Sequence, residues 1–249
     1  MTSVAAAERR LPPRGWLDLF RQAGIWFGFV LAYQLARGVA DRSPAVAFDN
    51  ARAVIDFENR ATGLWELSLQ SWTESFHVLG VLTSWTYWLS QFAVVGVSLL
   101  WVYFRHYEHF IRFRNLLMVA NVLGLVGYVL LPTAPPRMFP ELGFTDTLAS
   151  VGTANHGSAL VELAANPYAA MPSLHAADSL IVGVTLAFLV KPLWLKALWL
   201  FWPAWVWFTV MATGNHFWLD IVAGIAVVLF AAGIVYNRVI RQTLAPPTG

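Results

Sequence analysis

Six long apolar stretches divide the chain: Trp16 to Val39, one within Phe76–Phe104, Leu116 to Leu131, Pro172 to Lys191, Leu193 to Thr213, and His216 to Tyr236. Such stretches suit helices that cross a hydrocarbon core of roughly 30 Å, where every backbone polar group must be satisfied internally. The breaks between them are polar or carry proline. Pro132 ends the third stretch, and Lys191-Pro192 closes the fourth. Pro172 opens the fourth at a helix start, where its missing N–H costs nothing. Between the first two stretches, Phe48–Gly63 reads as an amphipathic helix. Leu64, Trp65, Leu67, Leu69 and Trp72 then read as a segment lying in the membrane interface, which favours tryptophan. The loop from Thr133 to Tyr168 is too poor in apolar residues to span and belongs at the surface or over a site. The expected fold is all-α: a polytopic membrane protein with a six-helix bundle. One membrane domain covers 16–241, with cytoplasmic tails at 1–15 and 242–249 and outer segments at 41–75 and 133–171.

Composition strengthens this picture. Hydrophobic residues make up 58% of the 249 and charged residues 12%, about half the charged share of a soluble domain. The absence of cysteine excludes disulfides and thiolate metal sites. The net charge of +2 contains no basic run suited to nucleic acid. The apolar part after Arg9, Arg10 and Arg14 is long and lacks a small-residue cleavage pattern, so the first stretch is expected to remain as a helix.

Charge also sets an orientation. The two ends and the loops after the second and fourth stretches carry eleven basic residues; the opposite side carries five, Arg37, Arg42, Arg52, Arg60 and Arg137. By the positive-inside rule both termini are expected in the cytoplasm of a multi-pass cell-membrane protein. Arg137, His175 and His216 then fall together on the extracytoplasmic face.

Those residues carry the candidate chemistry. His216 and Asp220 are four apart, on one face of a helix, and helical side chains lean toward the N-terminus. A carboxylate on one ring nitrogen fixes the tautomer and leaves the other nitrogen free as nucleophile or base. The same pair also describes a structural contact at a helix end. An acid within an apolar helix costs about 2.5–3.5 kcal/mol near the bilayer centre, which weighs toward function. His175 follows Ser173 at another helix start, where free N–H groups favour anions; alone, Ser173 is equally an N-cap and His175 an interfacial polar residue. Arg137 is the one basic residue of its loop, stiffened by Pro135 and Pro136, and presents a guanidinium suited to phosphate or to membrane headgroups. Together these groups supply a nucleophile, its orienting carboxylate, an acid and an anion clamp, enough for phosphoryl transfer without metal or cofactor.

The pattern resembles the type-2 phosphatidic acid phosphatase superfamily of membrane lipid phosphatases and phosphotransferases. Pro172-Ser173-Leu174-His175 matches its middle motif, and His216 with Asp220 matches its last. The resemblance implies that fold, and a phosphohistidine mechanism: His216 as nucleophile, Asp220 orienting it, His175 protonating the leaving oxygen, Ser173 and Arg137 binding phosphate. The implied substrate is a phospholipid or lipid phosphate in the bilayer, with water or a lipid or polyol hydroxyl as acceptor. Four positions depart from the family pattern. Leu130 stands where a lysine precedes the arginine, Met138 replaces a proline, and Thr209 and Val210 replace a serine-arginine pair. Two cationic phosphate ligands are thus missing, and Asn215 or His156 are candidate substitutes. Ala134-Pro135-Pro136-Arg137, Met171-Pro172-Ser173-Leu174-His175 and Thr213-Gly214-Asn215-His216 look like the inositol phosphorylceramide synthase-like branch, the inositolphosphotransferases.

Other polar residues read more plainly. His106 and His109 lie among arginines on the cytoplasmic side and are expected to be solvated. Asp178 either supports His175 or pairs with another helix. Glu58 and Glu66 are expected to shape a substrate entrance. The rival reading is a non-catalytic lipid-binding membrane protein or transporter, which calls for polar residues or broken helices near the midplane; here they cluster at helix mouths.

Overall fold

The computed structural model describes residues 12–39, 43–150 and 166–244. His156 therefore lies outside the described residues. Helices dominate: α1 (Gly15–Val39), α2 (Pro44–Ala61), α3 (Trp65–Glu74), α4 (His77–Leu89), α5 (Val95–Arg105), α6 (Tyr107–Leu130), the short α7 (Thr147–Ser150), α8 (Leu174–Leu189), α9 (Leu193–Ala212) and α10 (Trp218–Leu244). No strand forms among the described residues; one parallel bridge joins Thr133 to Ala169 and ties the two ends of the 133–171 loop.

Four helical stretches have the length and apolarity to cross a membrane: His77–Arg105, Tyr107–Leu130, Leu193–Ala212 and Trp218–Asn237. The first of these is α4 and α5 in continuity through one wide turn at Ser90–Val94. Of the two other expected spans, α1 has 25 residues but carries Asp18, Arg21 and Arg37. Helix α8 is apolar but has only 16 residues, a length of about 24 Å at 1.5 Å per residue.

The third apolar stretch differs from expectation at its start. The helix begins at Tyr107, not near Leu116, because Tyr107, Phe110 and Phe113 pack with Tyr103 and extend the core. His106 packs on Trp101, and His109 lies edge-on to Phe188, so neither is simply solvated. Arg114 is buried and hydrogen-bonds Gln22 of α1 and its neighbour Asn115.

Helix α8 sits at the centre, packed against α5, α6, α9 and α10. Small residues bring its start close to its neighbours. A side chain on Gly127 would meet the Pro172 ring at 2.5 Å, and one on Gly224 would meet the Ser173 carbonyl at 2.4 Å. The outer surfaces of the bundle carry Phe27, Val97, Leu130, Phe188 and Leu229, all exposed and suited to lipid.

Helix α2 buries Ala47, Ala51, Val54 and Ile55, the stripe expected of an amphipathic helix. It packs with Phe139, Phe144, Met171 and Phe217 in a cluster that covers the start of α10. Helix α3 holds the long loop: Gln70 donates to the Thr145 carbonyl at 2.9 Å and to Thr147 Oγ1 at 3.0 Å, and accepts from the Thr145 N–H at 3.1 Å.

Candidate active site

His216 precedes α10, in the turn that follows α9. Gly214 in that turn has φ +68, a conformation that favours glycine, and approaches the Thr145 carbonyl closely. Asp220 reaches back as its spacing predicts. Its Oδ2 accepts from His216 Nδ1 at 3.2 Å and from the Phe217 N–H at 2.9 Å. With Nδ1 so engaged, Nε2 of His216 is the nitrogen left for chemistry. Asp220 is fully buried, and its Oδ1 has no hydrogen-bond partner among the described residues.

His175 stands in the first turn of α8, with its ring centroid 6.0 Å from that of His216. Tyr87 of α4 stacks on it at 4.3 Å. Ser173 caps the helix, its Oγ accepting the Ala176 N–H at 3.3 Å, while its own N–H donates to the Asp220 carbonyl at 2.9 Å. The two motifs are therefore joined through backbone as well as facing each other. Ser173 is wholly buried.

Both histidines line an elongated cavity of about 540 Å³, walled by α1, α4, α5, α6 and α8. Asp178 lies one turn below His175 in the same wall. It accepts from Gln91 Nε2 at 2.7 Å and Asn121 Nδ2 at 2.9 Å, so it pairs with other helices. The wide turn at Ser90–Val94 carries Gln91 and aims it inward, a common use of such turns.

Arg137 and Asn215 meet beside His216. Arg137 Nη1 donates to Asn215 Oδ1 at 2.6 Å, the Arg137 N–H donates to the Gly214 carbonyl, and its Nε stands 3.7 Å from Asp146. Arg137 is thus sewn to the turn that presents His216, but it does not line the cavity. Asn215 Nδ2 donates to Thr213.

Glu58 and Glu66 differ most from expectation. Both are fully buried, and neither shapes an entrance. Glu58 Oε1 accepts the Leu219 N–H at 2.8 Å, and Glu66 Oε1 accepts the Trp218 N–H at 3.0 Å. With Asp220 on Phe217, three carboxyl groups satisfy successive N–H groups in the first turn of α10, the positive end of its dipole. Burial, and the charge each carboxyl group feels from its neighbours, push both glutamates above the usual carboxylate range. The second oxygens, Glu58 Oε2 and Glu66 Oε2, are buried without a hydrogen-bond partner among the described residues.

Tyr87, Gln91 and Asn121 carry no motif spacing. They come from helices that only the tertiary fold brings to α8 and α10, so nothing local marked them.

The fold is that of a helical membrane protein in which two histidines, one held by a buried carboxylate, face each other at the mouths of two helices. The model of the PAP2 superfamily matches residues 52–234, and the chain belongs to that superfamily. It is similar to the phosphoinositol dihydroceramide synthase of Bacteroides thetaiotaomicron, 29% identical over 133 residues. That match covers 48% of this chain and 43% of the relative, so the chain spans less than half of the relative's length. No solved structure matches it.

Proposed function

We propose that the protein is an integral-membrane, metal-independent phosphatase or phosphotransferase acting on a lipid phosphate or phospholipid headgroup through a phosphohistidine intermediate. The observation that carries this reading is the His216–Asp220 pair facing His175 in the wall of one cavity. Nε2 of His216 attacks phosphorus. The bond to the leaving oxygen breaks as His175 gives that oxygen its proton, and the phosphoryl group rests on His216. An incoming hydroxyl then gives its proton to His175 and attacks phosphorus. The N–P bond breaks, and both histidines return to their starting states. Asp220 holds the tautomer and stabilises the charged ring. Ser173, Arg137 and Asn215 bind or brace phosphate oxygens. The positive-inside asymmetry puts this site on the extracytoplasmic side of the cell membrane, with both termini in the cytoplasm. The name of the similar synthase supports an inositol-phosphate headgroup donor and a lipid hydroxyl acceptor.

The test uses purified protein in detergent, headgroup-labelled phospholipids, a chelator throughout, and alcohol, polyol or long-chain lipid-alcohol acceptors. Turnover in chelator, lost in His216→Ala, is expected, and the labelled product separates transfer from hydrolysis. Turnover that strictly requires added divalent metal would point to a different chemistry.

A further inference from the structure

The proposed phosphate site is short of positive charge. Leu130 is 76% exposed on the lipid side, and Val210 is buried in an apolar cluster, so neither position offers a cation. Arg137 is held by Asp146 and Asn215. Charge developing on a phosphoryl group in such surroundings needs a preorganised partner.

The first helix carries one. Trp26, Val30, Tyr33 and Arg37 lie on one face of α1 and line the cavity shared with His175 and His216. Gln22, on the same face, binds Arg114; Arg37 is fifteen residues further along, about 22 Å at 1.5 Å per residue. The two arginines thus mark opposite ends of the slot. Arg37 stands with its guanidinium carbon 5.8 Å over the Tyr128 ring. Tyr87, the ring stacked against His175, lines the same cavity. The Arg37 Nε is buried with no hydrogen-bond partner, and no carboxylate pairs with it among the described residues. That buried donor is left for an anion bound in the cavity.

We propose that Arg37 is a phosphate-binding residue of the active site, supplying from α1 the positive charge that Leu130 and Val210 do not. This rests on reading the cavity as the phosphoryl-transfer site. The matched family segment begins at residue 52, so Arg37 lies before it. The first helix then forms one wall of the active site, and the substrate phosphate sits between α1 and the start of α8.

The experiment measures kcat and KM for the phospholipid substrate, inhibition by orthovanadate, and the thermal shift caused by orthophosphate. The proteins are wild type, Arg37→Gln, Arg37→Lys and His216→Ala in detergent. Arg37→Gln is expected to lose about ten- to hundredfold in kcat/KM and in vanadate affinity, the scale of one charge-assisted hydrogen bond, and to lose most of the phosphate-induced shift. Arg37→Lys should fall between it and wild type, having charge without the planar fork. His216→Ala should lose turnover but keep the phosphate shift. If His216→Ala stays active, the phosphohistidine reading fails, and the vanadate and phosphate measurements still judge Arg37. Vanadate affinity and phosphate shift within twofold of wild type in a folded Arg37→Gln would overturn the proposal and leave Arg37 as a headgroup anchor. Should Arg37→Gln not fold, Arg37→Lys decides: vanadate affinity weakened more than threefold supports the role, and unchanged affinity refutes it.

Discussion

Asp220 does two jobs with one oxygen. Its Oδ2 holds both the His216 ring and the Phe217 N–H, so the residue that orients the proposed nucleophile also supports the start of the helix beside it. Asp220→Asn should leave the protein folded but cut turnover by about 10⁴, the scale of the same swap in another His–Asp pair. A steady-state assay beside a melting curve separates the two effects; a loss under tenfold would show that the carboxylate does not support the nucleophile. His175 is tested by leaving group. His175→Ala should be slow on a lipid substrate and partly recover on a nitrophenyl phosphate, whose leaving oxygen needs no proton. These two histidines and Asp220 were legible in the sequence because their relation is local: a four-residue spacing, and a proline-serine helix start. Arg37 and Tyr87 were not, because their relation to His175 exists only once α1 and α4 pack beside α8.

The first turn of α10 is supported by side chains from three helices. Carboxyl groups from α2, α3 and α10 itself take three successive N–H groups. In the sequence the glutamates suit a substrate entrance, since nothing in an amphipathic segment marks an acid for burial beneath another helix's end. Their burial has a signed consequence. Burial, then the charge of Glu66, push Glu58 up to about 9. An acid whose folded value is raised contributes stability that is full below its ordinary range and is lost as pH rises toward the raised value. Melting temperature should therefore fall between neutral pH and about pH 9, and Glu58→Gln should flatten that slope, since its amide can donate to Glu66 without ionising. An unchanged slope in Glu58→Gln would place the titration elsewhere. Gly224 bears on the same element. A methyl group there meets the Ser173 carbonyl, which is backbone and cannot swing aside. Gly224→Ala should destabilise by about 1–3 kcal/mol, as overpacking does, and should depress turnover by shifting Ser173 against His216. A melting curve and a turnover assay on that variant check both.

At the scale of the whole molecule, hydropathy located the helices well but their ends less well. The aromatic start of α6 extends a core that composition alone reads as a cytoplasmic loop. The wide turn at Ser90–Val94 is invisible in an apolar run, because nothing distinguishes Gln91 until Asp178 lies opposite. The central position of α8 was also hidden, since it follows from small residues on α6 and α10 that admit its first turn. The expected orientation remains a charge argument, and it has a direct check. A tag at residue 249 should resist protease added outside intact cells, and cleavage there would reverse the proposed sidedness.

The most direct test of the chemistry is rapid-quench labelling with a phosphate ester carrying radioactive phosphorus. Wild type is expected to give a protein-bound label that is labile in acid and stable in base, as a phosphohistidine is. His216→Ala should give none, and His175→Ala with an activated ester should accumulate it, because release also needs His175. The same acid-labile label retained in His216→Ala, or full turnover in that variant, would contradict the assignment of His216 as the nucleophile.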